Sequence, residues 1–341
     1  YSVSEVGDIN GDGVEDIAVG AWGDDTSGSN RGAVYVLFMN TDGTVQSSHK
    51  IAHNTGGFGP LDDGDGFGVS VTGLGDVDGD TVRDLAVGAF YDDSTSNLDV
   101  NRGAVYVLFM NSNGTVKGSS KIGDNTGGFG PIVGADVFGG SVTDLGDFDG
   151  DGVSELAVGA YLDNVGGTNR GSMFVLFLNS SGTVKSWQQI AENTGGFNTT
   201  LGNGDFFGLS ATNVGDLDGD GVEDLAVGAP AHDTGGPDRG AVFVLLLNVD
   251  GTVKSSQEIA DNTGGFSALS DNDRFGWDVS GVGDLDGDGV EDLAVGASHD
   301  DTGGPERGAV YVLYLNTDGT VRESEKFAEN TGGFGSLADA D

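Results

Sequence analysis

Short apolar runs separated by glycine-rich polar segments recur along the whole chain. The runs are rich in Val, Leu, Phe and Tyr and are bounded by Gly, Asp and Asn, as in DLAVGA at 84–89 and AVYVLFM at 104–110. Runs of this kind are typical of β-strands. No segment repeats its apolar residues every 3.6 positions over the length of a helix. The pattern therefore predicts an all-β protein.

The same succession of runs and loops occurs five times. Each copy contains an acidic string close to GDxDGDG, and the first aspartates of these strings are Asp8, Asp76, Asp147, Asp216 and Asp284. The spacings are 68, 71, 69 and 68 residues (76−8, 147−76, 216−147 and 284−216). Each repeat holds four apolar or alternating runs, whereas a parallel β-helix would need a much shorter period. The repeat therefore predicts a four-stranded unit.

The third and fourth runs of each repeat indicate how these units pack. The third run is apolar at nearly every position, as in AVFVLLL at 241–247, so both of its faces must be covered. The fourth run is polar and alternating, as expected of an outer edge strand. A propeller blade between two neighbouring blades meets both requirements. We predict an all-β β-propeller with five four-stranded antiparallel blades; the alternative is a part of a longer array of the same repeat, for example a seven-bladed one.

The predicted organisation is a single propeller over residues 1–341. The approximate blades are 1–57, 58–128, 129–196, 197–265 and 266–341.

Charge narrows the classes of partner. The chain has 55 acidic and 14 basic side chains and a formal charge of -41, which repels nucleic acid and anionic membranes. We therefore expect no nucleic-acid partner and no membrane insertion, and cations as the natural counterpart. Because 36% of the residues are hydrophobic and lie in compact runs, the acidity does not indicate disorder. The chain has no cysteine, which excludes disulfides, thiolate metal sites and a cysteine nucleophile.

The five acidic strings predict calcium sites. Numbered from the first aspartate, each has acid or amide oxygens at loop positions one, three, five and nine, with glycine at four, as in the first half of an EF-hand loop. Calcium takes six to eight oxygen ligands, and four clustered carboxylates without a cation would repel one another. We predict about five Ca²⁺ ions, one per repeat. The predicted ligands, with the position-seven carbonyl fourth in each set, are Asp8, Asn10, Asp12, Val14 and Asp16; Asp76, Asp78, Asp80, Val82 and Asp84; Asp147, Asp149, Asp151, Val153 and Glu155; Asp216, Asp218, Asp220, Val222 and Asp224; and Asp284, Asp286, Asp288, Val290 and Asp292.

The loops differ in ways that bear on affinity. The second has Thr81 at position six, where the others have glycine, and we expect it to bind calcium most weakly because the position favours a left-handed backbone. The first carries Asn10 in place of an aspartate, and the third closes with the longer Glu155. The alternative is that these strings are only solvated acidic turns. Magnesium is a less suitable occupant than calcium because it retains its waters.

The order of motifs resembles the FG-GAP repeat of integrin alpha-subunit propellers and of large secreted or surface proteins of microbes. The Phe-Gly pairs begin at Phe67, Phe138, Phe207 and Phe275. The Gly-Ala-Pro is complete only at Gly228 to Pro230, and the proline is otherwise replaced by Trp22, Phe90, Tyr161 and Ser298. The resemblance implies a calcium-binding β-propeller at the cell surface or outside the cell, with a role in adhesion or ligand recognition. The long NTGGF linker makes each repeat longer than is usual in that family.

A ligand surface is expected on the side opposite the calcium loops. The long connections after the second strands vary most between copies: 22–31, 90–102, 161–170, 231–239 and 298–307. Their aromatic residues Trp22, Tyr91 and Tyr161 suit a protein or glycan partner; the alternative is that they pack between blades. The arginines that end these loops, Arg31, Arg102, Arg170, Arg239 and Arg307, are expected to pair with neighbouring acids.

An enzyme is not indicated. The four histidines, His49, His53, His232 and His299, do not occupy one repeat position, and none belongs to a recognisable nucleophile motif. A single deep pocket with non-repeated acids would be the sign of a hydrolase. Besides an adhesion module, the pattern is compatible with a lectin and with a structural spacer or filament subunit that assembles through neighbouring repeats.

Overall fold

Five four-stranded antiparallel sheets make up the fold of the computed structural model. The structure describes residues 2–93 and 101–337, and within these ranges the regular elements are all strands. In every sheet the strands follow chain order from one edge to the other. These sheets are the blades of a β-propeller, which confirms the predicted fold class. The described residues include no helix long and apolar enough to cross a bilayer.

The strand bounds repeat from blade to blade. Blade 1 has β1 (Ser2–Gly7), β2 (Asp16–Ala21), β3 (Ala33–Met39) and β4 (Val45–Ala52). Blade 2 has β5 (Phe67–Gly73), β6 (Leu85–Ala89), β7 (Ala104–Met110) and β8 (Val116–Gly123). Blade 3 has β9 (Ser141–Asp144), β10 (Leu156–Ala160), β11 (Ser172–Leu178) and β12 (Val184–Ile190). Blade 4 has β13 (Ala211–Asn213), β14 (Leu225–Ala229), β15 (Ala241–Leu247) and β16 (Val253–Ile259), and blade 5 has β17 (Phe275–Gly281), β18 (Leu293–Ala297), β19 (Ala309–Leu315) and β20 (Val321–Phe327).

The chain divides into two compact units. One consists of Tyr1–Asp163 and Phe174–Trp187 and contains blades 1 and 2 and most of blade 3. The other consists of Asn164–Met173 and Gln188–Asp341 and contains blades 4 and 5. The predicted blade boundaries stay predictions.

The third strands form the centre of the hydrophobic core. In β7, Val105 and Val107 are buried against blade 3, whereas Tyr106 and Leu108 are buried against blade 1. All residues of β15 are buried as well. In β3 and β19 buried positions alternate with half-buried or exposed ones. Fourth strands such as β8 expose alternate residues, as an outer strand should.

The Arg-Gly and Phe-Gly motifs connect consecutive blades. The N–H of Phe138 donates to the carbonyl of Arg102 at 2.9 Å, and Gly103 forms an isolated parallel bridge with Phe138. The same pair of contacts joins Gly32 to Phe67, Gly171 to Phe207 and Gly240 to Phe275. Gly103 has a φ of 84°, and a Cβ there would overlap the Phe138 carbonyl. Glycine is therefore required where the two backbones meet.

An aromatic trio accompanies each of these contacts. In blade 2 the linker residue Phe58 stacks on Phe67 with ring centroids 4.8 Å apart, and Tyr106 of β7 meets both rings edge-on. The corresponding trios are Phe129, Phe138 and Phe174; Phe197, Phe207 and Phe243; and Phe266, Phe275 and Tyr311. The phenylalanine of the NTGGF linker is thus part of the core, which explains why the linker recurs with so little change.

We expect Gly103→Ala to destabilise the protein by roughly 2 to 4 kcal/mol, because the methyl group meets backbone and the left-handed conformation is strained. Denaturant unfolding measures the change. Gly118→Ala is the matched control, since a Cβ there makes an ordinary 3.6 Å contact with Phe109. Equal stabilities for the two variants would contradict the role of the motif.

Candidate functional site: five acidic loops

Each acidic loop folds around its first aspartate. In loop 1, Asp8 Oδ1 accepts the N–H groups of Gly11 at 2.7 Å and Asp12 at 3.0 Å, and Oδ2 accepts that of Gly13 at 2.7 Å. Loop 2 repeats this arrangement around Asp76. Because three amide groups hold one carboxylate, the loop backbone has a defined curvature that directs other oxygens toward its centre.

Position six has the left-handed backbone expected from its glycines. Gly13, Gly152, Gly221 and Gly289 have φ values of 88°, 90°, 88° and 89°. Thr81 adopts the same conformation, with a φ of 79°. A β-branched residue is strained there by about 1 to 2 kcal/mol. Loop 2 therefore has the expected shape at a conformational cost that the other loops avoid.

The acids at position nine are buried at the starts of the second strands. Asp16 accepts N–H groups from Ile9 within the loop and from Met39 at the end of β3, each at 3.1 Å. Asp84, Asp224 and Asp292 make the corresponding pair of contacts in their blades. This carboxylate thus ties the loop to the third strand, which holds it rigidly below the loop.

Burial makes the charged form of these acids costly. It raises the pKa of Asp84 to about 6 and the pKa values of Glu155 and Asp224 to about 7, and it also raises the pKa of Asp16. Backbone hydrogen bonds to each carboxylate oppose this effect but do not cancel it. A cation in the loop would remove the cost of ionisation.

Loops 2 to 5 bring carboxylates together as a metal site requires. In each, one oxygen from positions one, three and nine lies within 4.8 Å of the others. The groups are Asp76, Asp78 and Asp84; Asp147, Asp149 and Glu155; Asp216, Asp218 and Asp224; and Asp284, Asp286 and Asp292. The predicted ligands at position five lie outside these carboxylate groups. In loop 1 the amide of Asn10 stands at position three.

Two carboxylate oxygens in these groups have surroundings that favour a bound cation. Asp218 Oδ1 and Glu155 Oε1 are buried and have no hydrogen-bond partner among the residues that the structure describes. Buried polar atoms are normally satisfied. A hard cation bound in each of these two loops would provide the missing partner. An all-oxygen donor set is the type that calcium prefers.

Sequence reasoning missed the cations of the fourth strands. The second residue of each fourth strand is Gln46, Lys117, Lys185, Lys254 or Arg322. Lys254 Nζ lies 2.6 Å from Asp218 Oδ2 and 2.7 Å from Asp220 Oδ2, which are positions three and five of loop 4. The other three cations pair with the same two positions of their own loops. A positive residue at one repeat position in four of five copies was the signal available in the sequence.

A second set of acids lies at the long-loop end of the blades. In blade 2, Asp92 is buried and accepts hydrogen bonds from Tyr106 at 2.7 Å and Lys121 at 2.6 Å. Burial, together with the nearby charge of Asp92, raises the pKa of Asp65 to about 7. In blade 3, burial and the nearby charge of Asp163 likewise raise the pKa of Asp136 to about 7, although Phe174 and Gln189 stand where blade 2 has Tyr106 and Lys121. These acids lie only 8 to 11 residues from the acidic loops in sequence (92−84, 163−155, 76−65 and 147−136), but they belong to other connections, and no spacing rule identified them.

Blade 4 replaces this acid with a histidine. His232 Nδ1 lies 2.5 Å from Asp205 Oδ2, and Nε2 lies 3.4 Å from Glu258 Oε1. Burial opposes the charged ring, but hydrogen bonds to Asp205 and Glu258 outweigh it and raise the pKa of His232 to about 9. These three residues line a shallow open depression with Thr199, Thr200 and Thr234.

The arginines that end the long loops pair with acids, as predicted. Arg31 Nε lies 2.6 Å from Asp63, and Arg239 lies 2.9 Å from Asp261 and 2.8 Å from Asp271. The remaining pairs are Arg102 with Asp124, Arg170 with Glu192 and Arg307 with Glu329. The arginines therefore hold each long loop against the acid that follows the fourth strand or against the next linker.

The long-loop aromatics pack largely on one another. Trp22 and Tyr161 are half-buried against a cluster of Val69, Phe90 and Val137. Trp22 meets Phe90 edge-on at 5.8 Å, and Tyr91 stacks on Phe90 at 3.8 Å and stays 36% exposed. The alternative in which these residues contribute to packing is therefore favoured for Trp22 and Tyr161.

Comparison with known proteins identifies the repeats. The FG-GAP repeat family model matches residues 2–37, 139–176, 207–245 and 275–313. The second repeat lies outside these segments, yet it forms the complete four-stranded blade 2. The chain therefore carries FG-GAP repeats, as its motifs indicated.

The chain is similar to integrin alpha chains. It is 30% identical to integrin alpha-PS2 of Drosophila melanogaster over 191 residues, which are 54% of this chain and 13% of that protein. It is 32% identical to integrin alpha-4 of Xenopus laevis over 152 residues, 44% of this chain and 13% of that protein. It is 30% identical to integrin alpha-3 of Cricetulus griseus over 199 residues, 58% of this chain and 17% of that protein. The matched segment thus spans less than a fifth of each of these relatives.

We expect Thr81→Gly to stabilise the calcium-free protein by about 1 kcal/mol, because glycine adopts the left-handed conformation without strain. Denaturant unfolding in chelator measures the gain. The reciprocal control is Gly13→Thr, where a Cβ meets nothing within 4 Å and only the backbone strain is added, so the protein should lose stability. A Thr81→Gly variant no more stable than the parent would refute the strain at this position.

The pKa of Asp65 predicts a pH dependence. Its folded-state value of about 7 lies above the ordinary 3.8, so the folded chain binds this proton more tightly than the unfolded chain. The resulting stability is present below about pH 4 and is lost as the pH rises to about 7, by up to about 4 kcal/mol. Asp65→Asn should therefore be more stable than the parent above pH 7 and less dependent on pH between 4 and 7. Urea unfolding across this range tests the prediction, with the exposed Glu323→Gln as control; parallel curves for Asp65→Asn and the parent would disprove it.

Proposed function

We propose that this chain is a calcium-stabilised extracellular propeller that acts in adhesion or ligand recognition. The observation that carries the proposal is the convergence of three carboxylates in each of loops 2 to 5, in which buried oxygens of Asp218 and Glu155 accept no hydrogen bond from the described residues. The FG-GAP repeats and the similarity to integrin alpha chains support the adhesive role and the location at the cell surface.

The proposed ligands of each ion are the side chains at loop positions one, three, five and nine and the carbonyl at position seven. Bound calcium would supply positive charge to the loop and tie its oxygens together. The position-nine acid then connects the loop to the third strand through its backbone contacts, as Asp224 does with Leu247 at 2.8 Å. Ion binding would in this way stabilise the blade.

The proposed role is not enzymatic. His232 and Glu258 are a candidate catalytic pair at the long-loop end, and both are non-repeated, as a hydrolase site would require. Their partner Asp205, by contrast, stands at the repeated position of Asp65, Asp136 and Asp273. With a pKa of about 9, however, His232 is protonated at neutral pH and cannot serve as a general base. Its hydrogen bonds to Asp205 and Glu258 occupy both ring nitrogens. We interpret the trio as a structural ion-pair network.

The proposed partner is a protein or glycan that binds the long loops. These loops vary in sequence between blades, and Arg239 and its counterparts hold their ends in place. Variable loops on a rigid scaffold are the usual location of recognition residues. Because Trp22 and Tyr161 are packed, we propose that the contacts involve the polar parts of these loops together with Tyr91, which is 36% exposed.

Removal of calcium tests the stabilising role. At a free calcium level of 100 times the dissociation constant each ion adds about 2.7 kcal/mol, so chelator should lower the melting temperature strongly. Scanning calorimetry with calcium and with chelator measures the shift. An unchanged melting curve would reject calcium stabilisation.

Stoichiometry tests the proposed ligands. Asp218→Asn should reduce the number of bound ions by one in isothermal titration calorimetry, because it removes one of the three carboxylates that converge in loop 4. Glu323→Gln removes an exposed charge outside the acidic loops and should leave the number of bound ions unchanged.

Binding assays identify the class of partner. Adhesion to immobilised matrix proteins and to a glycan array is measured with calcium and with chelator. Equal binding in both conditions would show that recognition does not depend on the acidic loops.

A further inference from the structure

We propose that the cation at the second position of the fourth strand in blades 2 to 5 is a built-in counter-ion of the neighbouring acidic loop, which stabilises the ion-free blade and lowers its affinity for calcium. This inference rests on the proposed calcium-binding function and concerns residues outside the predicted ligand sets. The residues are Lys117, Lys185, Lys254 and Arg322, with Gln46 at the corresponding position of blade 1.

The contacts recur in four blades. Lys254 Nζ lies within 2.7 Å of carboxylate oxygens at loop positions three and five. Lys117 lies 2.9 Å from Asp78 and Lys185 lies 2.7 Å from Asp149, and each also contacts the position-five aspartate of its loop. Four independent copies of one geometry show that the fourth strand is built to deliver a positive charge to this point.

Blade 1 shows that the cation and the position-three acid occur together. There the cation is replaced by Gln46 and the acid by Asn10. Asn10 Nδ2 donates to Asp12 Oδ2 at 3.0 Å, the same position-five oxygen that the cations contact in the other loops. An amide N–H thus takes the place of the ammonium group.

The exchange conserves charge. Loops 2 to 5 each have four carboxylates and one cation, and loop 1 has three carboxylates and no cation, so the ligand positions with the fourth-strand residue carry −3 in both cases. Loop 1 therefore serves as an internal control for the others. A simple solvated surface pair would not require loss of the acid wherever the cation is lost.

The cation has opposite effects on the two states of the loop. In the ion-free state it offsets the repulsion between two carboxylates that lie close together. In the bound state the same positive charge lies beside a divalent ion and repels it. Removing the cation should therefore destabilise the ion-free protein and tighten calcium binding.

A fourfold variant tests both effects: Lys117→Gln, Lys185→Gln, Lys254→Gln and Arg322→Gln together. We expect its melting temperature in chelator to fall by roughly 2 to 6 °C, on the scale of four exposed ion pairs. We expect its calcium dissociation constant in isothermal titration calorimetry to fall by roughly five- to twentyfold, from the loss of one like charge near each ion. Unchanged or weaker calcium binding, or an unchanged melting temperature in chelator, would overturn the inference.

Three single variants complete the design. Lys254→Gln should show the same two changes at one site, and it carries the test if the fourfold variant does not fold without calcium. Gln46→Lys should have the reverse effect, a higher melting temperature in chelator and weaker binding at loop 1. Lys326→Gln is the matched control: it removes a fourth-strand lysine that binds Asp300 of the long loop and not an acidic loop, and calcium affinity should not change.

The two proposals fail separately. If the parent protein binds no calcium, the proposed function fails, while the melting temperatures in chelator still test the counter-ion. If the parent binds calcium and the fourfold variant matches it in affinity and in ion-free stability, the counter-ion inference alone fails.

Discussion

Each blade must compensate the mutual repulsion of carboxylates that lie close together in one loop. Every repeat places four acidic or amide side chains in a loop of nine residues between its first and second strands. One of them, such as Asp84, is fully buried at the base of the loop. A loop of this kind is stable only if amide groups, a cation or a proton compensate the negative charge. The blade supplies amide groups through its backbone, and the arrangement of its carboxylates is compatible with a cation.

At the opposite end of blades 2 and 4, side chains compensate the charge of a buried group. Asp92 is buried there, and the hydroxyl of Tyr106 and the ammonium group of Lys121 neutralise it. In blade 4 the signs are exchanged, because His232 stands in the place of the aspartate and Glu258 in the place of the lysine. In these two blades the long-loop end thus compensates its buried charges with side chains. An end with repeated acidic loops and an end with loops that vary between blades suit a scaffold that presents a recognition surface.

Much of the candidate site could be predicted because its chemistry is local. A loop of fixed spacing that returns five times identifies Asp216, Asp218 and Asp224 as neighbours without knowledge of the fold. The role of Arg239 as a partner of acids also followed from its repeat position. Lys254 was missed because it lies 34 residues from Asp220, and only the antiparallel pairing of the second, third and fourth strands brings the two together. Asp65 and Asp92 were missed for the same reason, since they belong to different loops.

Residue type at short spacing along the chain was enough to predict the five repeats, their strands and the acidic loops. Which charges meet, and which aromatic side chains are withdrawn from solvent, became known only from the three-dimensional structure. Trp22 could have been exposed on its loop, and only its contact with Phe90 of the next blade shows that it is packed. Long-range pairing of this kind depends on how strands twist and blades stack, and a pattern of residue types along the chain does not encode it directly.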